Sequence, residues 1–154
     1  MSKRFFYGPF LGGRAANGLF ALRLVAGLGL IAHGFPKIQK PFGWMGPDAP
    51  VPGFLQFLGA FSEFFGGLAL IVGLLTPLAA LGIIATMLFA AFGAHANDPF
   101  IPSGPGPSKE PALSYFIVAL TLFFTGPGTL SLDHFLFGRN RETVLHEKEA
   151  AAGR

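Results

Sequence analysis

Cysteine is absent from this 154-residue chain, which removes whole classes of redox chemistry. There can be no disulfide, no dithiol shuttle, no cysteine-ligated iron–sulfur cluster and no c-type haem attachment. Charge is scarce as well. Asp, Glu, Lys and Arg make up 12% of the residues, about half of the roughly 25% usual in a soluble domain. The 11 basic and 8 acidic residues lie mostly near the termini and form no dense basic stripe of the kind that tracks phosphates, so no nucleic-acid partner is expected. Phosphate loops, nucleophilic triads and zinc-ligand spacings are also missing, which argues against a hydrolase. The Met1-Ser2-Lys3-Arg4 start resembles a signal-peptide n-region, but Arg23 interrupts the apolar run and no small-x-small site follows, so no cleaved signal is expected.

What is present is apolar: 51% hydrophobic residues, with 19 Phe, 22 Gly and 13 Pro. The first apolar run covers residues 15–35 and is broken by Asn17, Arg23 and His33; it ends at Pro36-Lys37. After a Pro- and Gly-rich loop containing Trp44, a second run covers 54–75, and at about 1.5 Å per residue it reaches about 33 Å, enough to cross a bilayer. Thr76-Pro77 makes a turn, with proline suited to a helix start, and the third helix runs over 77–95 without a formal charge until His95. Residues 97–108 are Pro-rich and read as a loop. The fourth helix, 109–125, is short for a span. Gly126-Pro127-Gly128 breaks it, Leu130 to Phe137 suits an interface, and Arg139 onward is a charged tail.

These elements predict an all-α integral membrane four-helix bundle, antiparallel and up-down, with a cytoplasmic segment 1–14, a membrane domain 15–132 and a cytoplasmic tail 133–154. Lys3, Arg4, Arg14, Arg139, Arg141, Lys148 and Arg154 fall on one side, against Lys37, Lys40 and Lys109 on the other. The positive-inside bias then puts both termini in the cytoplasm, as a multi-pass protein of a bacterial-type inner membrane. Phe5, Phe6, Tyr7 and Phe10 on that side, and Phe42 and Trp44 on the other, are candidate interfacial anchors.

Ionisable groups within hydrocarbon need a partner or a cavity, which singles out Arg23 and Glu63. On neighbouring antiparallel helices they are expected to pair, either locking two helices together or forming the polar floor of a ligand pocket. Gly27, Leu30, Gly34 and Lys37 share the Arg23 face of the first helix; Gln56, Gly59, Glu63, Gly66 and Gly67 share a face of the second. Gly-rich faces suit internal packing and suit a homo-oligomer equally. At the outer end, His33, Lys37, His95, Asp98 and Glu110 approach one membrane level. Such a set is either a group of solvated helix ends, a proton-handling site for a quinone headgroup, a metal site, or a b-type haem held by His33 and His95. His134 and His146 are expected to be solvated on the inner side.

The stretch Leu22-Arg23-Leu24 through His33-Gly34-Phe35-Pro36-Lys37, then Gly59-Ala60-Phe61-Ser62-Glu63 with Gly66-Gly67, and Gly126-Pro127-Gly128 through Ser131-Leu132-Asp133, resembles the DoxX family over residues 17–137. The resemblance implies a small four-helix membrane protein associated with quinone-linked or other oxidoreductase systems, among them a related subunit of thiosulfate:quinone oxidoreductase. Arg23, His33, Lys37, Glu63 and Asp133 match family positions, with His95 and Glu110 beside them. The expected function is a membrane subunit or partner of a quinone-linked oxidoreductase. Arg23 and Glu63 would orient the bound group, while Glu63, His33 and Lys37, with His95 and Glu110 at the outer end, would handle protons. Its rivals are a non-enzymatic scaffold that recruits a soluble oxidoreductase and a small transporter. The expected partners are the lipid bilayer and a protein of a redox complex.

Overall fold

A computed structural model describes residues 9–102 and 104–138. Lys3, Arg4, Phe5, Phe6, Tyr7, Arg139, Arg141, His146, Lys148 and Arg154, which carry much of the sidedness reading, lie outside the described residues. Every regular element among the described residues is helical: α1 (Gly13–Ile38), α2 (Gly53–Val72), α3 (Thr76–Phe89, continued by a π-helical turn Ala90–Ala94), α4 (Glu110–Thr125) and a short α5 (Leu132–Phe137). Three helices, Gly13–Ile38, Gly53–Val72 and Thr76–Ala94, are long and apolar enough to cross a bilayer, and α4 is apolar but shorter. The chain is a helical membrane protein.

Each helix carries one buried stripe at three- and four-residue spacing, as an amphipathic period requires. On α1 it is Leu19, Arg23, Ala26, Leu30 and Gly34; on α2 it is Gln56, Ala60, Glu63, Gly66 and Leu70; on α3 it is Ala80, Ile83 and Met87. Ala112, Ala119 and Leu122 of α4 complete the core. Outside this narrow core the surface is apolar, with Val25 72% exposed and Phe124 77% exposed. Such a surface suits lipid rather than water.

Small residues set the helix spacing. A Cβ on Gly34 would lie 2.6 Å from the Phe64 backbone nitrogen, and one on Gly67 would lie 2.8 Å from the Gly27 carbonyl, so α1 and α2 touch backbone to backbone. The levels on α1 rise from 23 through 27 to 34 while those on α2 fall from 70 through 67 to 64, so the two run in opposite directions. Gly66 against Ile83 and Gly59 against Thr86 give the same relation for α2 and α3. Gly34→Ala is therefore expected to destabilise the protein by about 1–3 kcal/mol by prising α1 from α2. Gly18→Ala, where a Cβ meets nothing within 4 Å, should be neutral or stabilising; thermal unfolding in detergent distinguishes the two.

Candidate functional site

The polar groups of the bundle separate into two clusters at opposite ends, one toward the N-terminus of α1, the inner end of the topology expected from the sequence, and one toward its C-terminus, the outer end of that topology. At the inner end, α2 stops at Gly73, which takes a left-handed conformation (φ 67°) that closes the helix, with the Gly73 and Leu74 amides returning to the Leu70 and Ala69 carbonyls. The chain restarts at once through Leu75 (φ 47°) and Thr76-Pro77, with proline in the first turn of α3. This abrupt turn leaves carbonyls behind it and amides ahead of it, all needing partners within the protein.

Arg23 and Asp133 supply them. The Arg23 guanidinium is fully buried and donates to the Leu70 carbonyl (3.0 Å), the Ile71 carbonyl (3.3 Å) and the Leu130 carbonyl. Asp133, also fully buried, accepts from the Leu75 amide (2.7 Å) and the Thr76 amide (2.8 Å), and its own amide donates to the Gly73 carbonyl (2.8 Å). Ser131 caps α5 by accepting from the His134 amide (3.1 Å), which fixes Asp133 in place. A division of the chain between 132 and 133 would cut through α5. His134 is half-buried, with its ring edge-on to Phe10 at 5.1 Å.

The expected Arg23–Glu63 pair is not formed. Glu63 stands level with Gly34, eleven residues along α1 from Arg23, which is about 16 Å of helix rise and beyond the reach of an arginine. Glu63 instead accepts from Lys37, one turn beyond Gly34, with Nζ to Oε1 at 2.6 Å. The Lys37 ammonium also lies 4.6 Å from the centroid of the Trp44 ring. Trp44 is held down by Gln56: the indole Nε1 donates to the Gln56 carbonyl (2.9 Å), the Met45 amide donates to Gln56 Oε1 (3.1 Å), and Gln56 Nε2 donates to the Val51 carbonyl (2.8 Å). Gln56 and Glu63, seven residues apart on one face of α2, thus anchor the α1–α2 loop and the ion pair together.

Beside this pair is a cavity of about 240 Å³ lined by Leu30, His33 and Lys37 of α1, Glu63 of α2, Met87 and Ala90 of α3, His95, the 106–108 segment, and Pro111, Ala112 and Tyr115 of α4. His33 meets the Tyr115 ring edge-on at 5.9 Å. The π-helical turn that ends α3 carries the chain to His95, whose Nδ1 lies 2.7 Å from Asp98 Oδ2. Glu63 Oε2 is buried without a hydrogen-bond partner, an orphan acceptor beside an apolar wall.

Four of the residues expected at a site, His33, Lys37, Glu63 and His95, are therefore brought to one cavity, with Asp98 behind His95. Two are not. Arg23 serves the inner turn, and Glu110 is exposed at the start of α4, next to the lining Pro111. Among the described residues no three His, Asp or Glu side chains converge as a metal site. The sequence reading missed the inner cluster, although a Gly-Leu-Leu-Thr-Pro turn between two buried helices was the signal that an internal donor and acceptor were needed there. Tyr115, a wall of the cavity, was also missed.

A family model described as DoxX matches residues 18–96, the part containing most of α1, all of α2 and α3, and His95. An uncharacterized protein of Haemophilus influenzae is 31% identical over 120 residues, covering 75% of this chain and 88% of that protein. The inner membrane protein YqjF of Escherichia coli is 34% identical over 118 residues, covering 75% of this chain and 83% of that protein. No solved structure matches the chain.

Proposed function

This chain belongs to the DoxX family, and from that membership and its outer cavity we propose that it is a membrane component of a quinone-linked oxidoreductase system whose cavity receives a quinone-type headgroup. The single observation carrying the reading is the orphan carboxylate oxygen of Glu63 set beside the Lys37 ammonium in a mostly apolar cavity. At about 240 Å³ the space falls below the 300–1,000 Å³ typical of sites for drug-sized ligands, which suits one substituted ring and not a haem macrocycle. When bound, a quinone carries two electrons and two protons between its oxidised and reduced forms.

The residues present fit both forms. Lys37, His33 and His95 offer N–H donors for ring carbonyls. Glu63 Oε2 accepts from a ring hydroxyl, which satisfies an atom that otherwise remains buried and unpaired. Leu30, Met87 and Ala112 contact the ring, and exclusion of water strengthens each polar contact. With Nδ1 of His95 engaged by Asp98, the opposite nitrogen is the one available to exchange a proton with the ligand. The electron-transfer partner is a redox protein docked on the membrane component. Four helices cross an inner membrane up and down, with both termini in the cytoplasm as the lysine and arginine placement directs, which puts the cavity at the outer leaflet.

In membranes where quinol-linked electron transfer depends on this chain, His33→Ala is expected to lower the rate at least tenfold at unchanged protein level, as loss of a positioned proton donor does. Unchanged rates in both His33→Ala and Glu63→Gln would refute the reading.

A further inference from the structure

Resting on the reading of the outer cavity as a headgroup site, we infer that its ligand is an amphiphile drawn from the bilayer, which enters through the seam between α1 and α4 past Tyr115 and leaves its apolar tail in that seam. The inference starts from which walls are closed. α1 and α2 meet backbone to backbone at Gly27, Gly34 and Gly67, so no ring passes between them. Between α2 and α3, the Ser62 hydroxyl fills the space beside Gly82, where a Cβ would meet it at 2.9 Å. α3 and α4 share the packed core of Ile83, Met87, Ala91, Ala112, Ala119 and Leu122.

The remaining seam, α1 against α4, is the sparsest of the four. At the level of the cavity Tyr115 reaches across it, its hydroxyl against Gly29 and its ring on His33. His33 and Pro111, one on each helix, both line the cavity and are both exposed, so the mouth lies between them and faces sideways. Residues 106–108 cover the outer end. Along this seam Val25, on the Gly29–His33 stripe of α1, is exposed, and on α4 the Thr121 hydroxyl donates back to the Ile117 carbonyl (2.8 Å), which leaves a surface that a hydrocarbon tail can follow. A ligand with a polar ring and one long tail satisfies both environments: the ring meets Lys37 and Glu63, and the tail stays in lipid. Gly29 matters because it leaves room for the Tyr115 hydroxyl, so that Tyr115 lies across the opening.

The test uses Trp44, the only tryptophan of the chain, whose ring lies against the cavity-lining Lys37. Full-length protein in lipid nanodiscs is titrated with a benzoquinone bearing a decyl chain and with the same ring lacking it, and quenching of Trp44 fluorescence is followed. The decyl compound is expected to quench saturably at a concentration at least tenfold below the tailless ring, with half-saturation fixed by its mole fraction in lipid. Stopped-flow association should be at least tenfold faster in Tyr115→Ala and unchanged in Tyr115→Phe. Should the alanine variant not fold, the comparison of tails in the unaltered chain decides alone. Equal half-saturation for both rings, set by aqueous concentration, overturns access from the bilayer and leaves the headgroup site standing. No saturable quenching by either ring overturns the site and this inference together.

Discussion

Arg23→Ala is expected to destabilise the protein by about 3 kcal/mol or more, the largest effect of any single substitution considered. Its guanidinium holds the Leu70, Ile71 and Leu130 carbonyls. A hydrogen bond to a charged donor contributes about 1.5–3 kcal/mol, and removing the donor leaves the carbonyls buried and unpaired. The truncation also empties the volume of the largest fully buried side chain among the described residues. Asp133, which caps the start of α3 from the same knot, then loses the positive charge nearest to it, so α5 and the turn at 73–76 should loosen together. Arg23→Lys keeps the charge but replaces a planar fork by a point donor, and it should recover only part of the loss. Thermal unfolding in detergent measures both variants. A melting temperature unchanged in Arg23→Ala would mean that the inner cluster does not hold the fold.

The second large effect belongs to the outer cluster and concerns binding. Glu63→Gln preserves volume and leaves an oxygen for Lys37, but it removes the negative charge and replaces one carboxylate oxygen by an N–H donor. A ring hydroxyl, present only in the reduced headgroup, loses its acceptor, so affinity for a quinol analogue should fall about tenfold, equivalent to about 1.4 kcal/mol. The oxidised ring, which needs donors, should be affected by threefold or less. Lys37→Met should do the reverse, weakening the oxidised form more. Competition binding in nanodiscs separates the two forms. Equal losses for both would show that Glu63 acts on the fold of the site and not on the ligand.

Both clusters were partly legible in the sequence, for different reasons. A charge inside an apolar run is visible from composition alone, so Arg23, Glu63 and His33 stood out, and their conflict with hydrocarbon made partners necessary. Which partner each takes depends on register. Being on neighbouring antiparallel helices made Arg23 and Glu63 the expected pair, whereas the glycine contacts place Gly34 level with Glu63, so that Lys37 pairs with it. The convergence of His33, Lys37 and His95 was foreshadowed because each stands near the outer end of its element, a property of chain order that needs no register, whereas Glu63, at the middle of α2, joins them only through the register of α1 against α2. The start of α4 was read to within one residue, but which of its residues lines the cavity was not. Exposed Glu110 and lining Pro111 are adjacent, and only the turn of α4 decides which of them faces inward. Asp133 was marked only by the family resemblance, because after a helix-breaking Gly-Pro-Gly segment an aspartate reads as the beginning of a polar tail. Its burial is fixed by the Ser131 cap and by two amides 57 and 58 residues away.

The assignment of one polar cluster to the fold and the other to a ligand is tested most directly by one titration in nanodiscs on wild type, Arg23→Lys and Glu63→Gln, at a temperature where all three are folded. Trp44 quenching by the decyl quinone is followed to saturation, and the reduced form is then used to displace it. Saturable quenching is expected in all three proteins, with displacement by the quinol about tenfold weaker in Glu63→Gln alone and within twofold of wild type in Arg23→Lys. The assignment would be contradicted by the absence of saturable quenching in wild type, or by a loss in Arg23→Lys as large as that in Glu63→Gln.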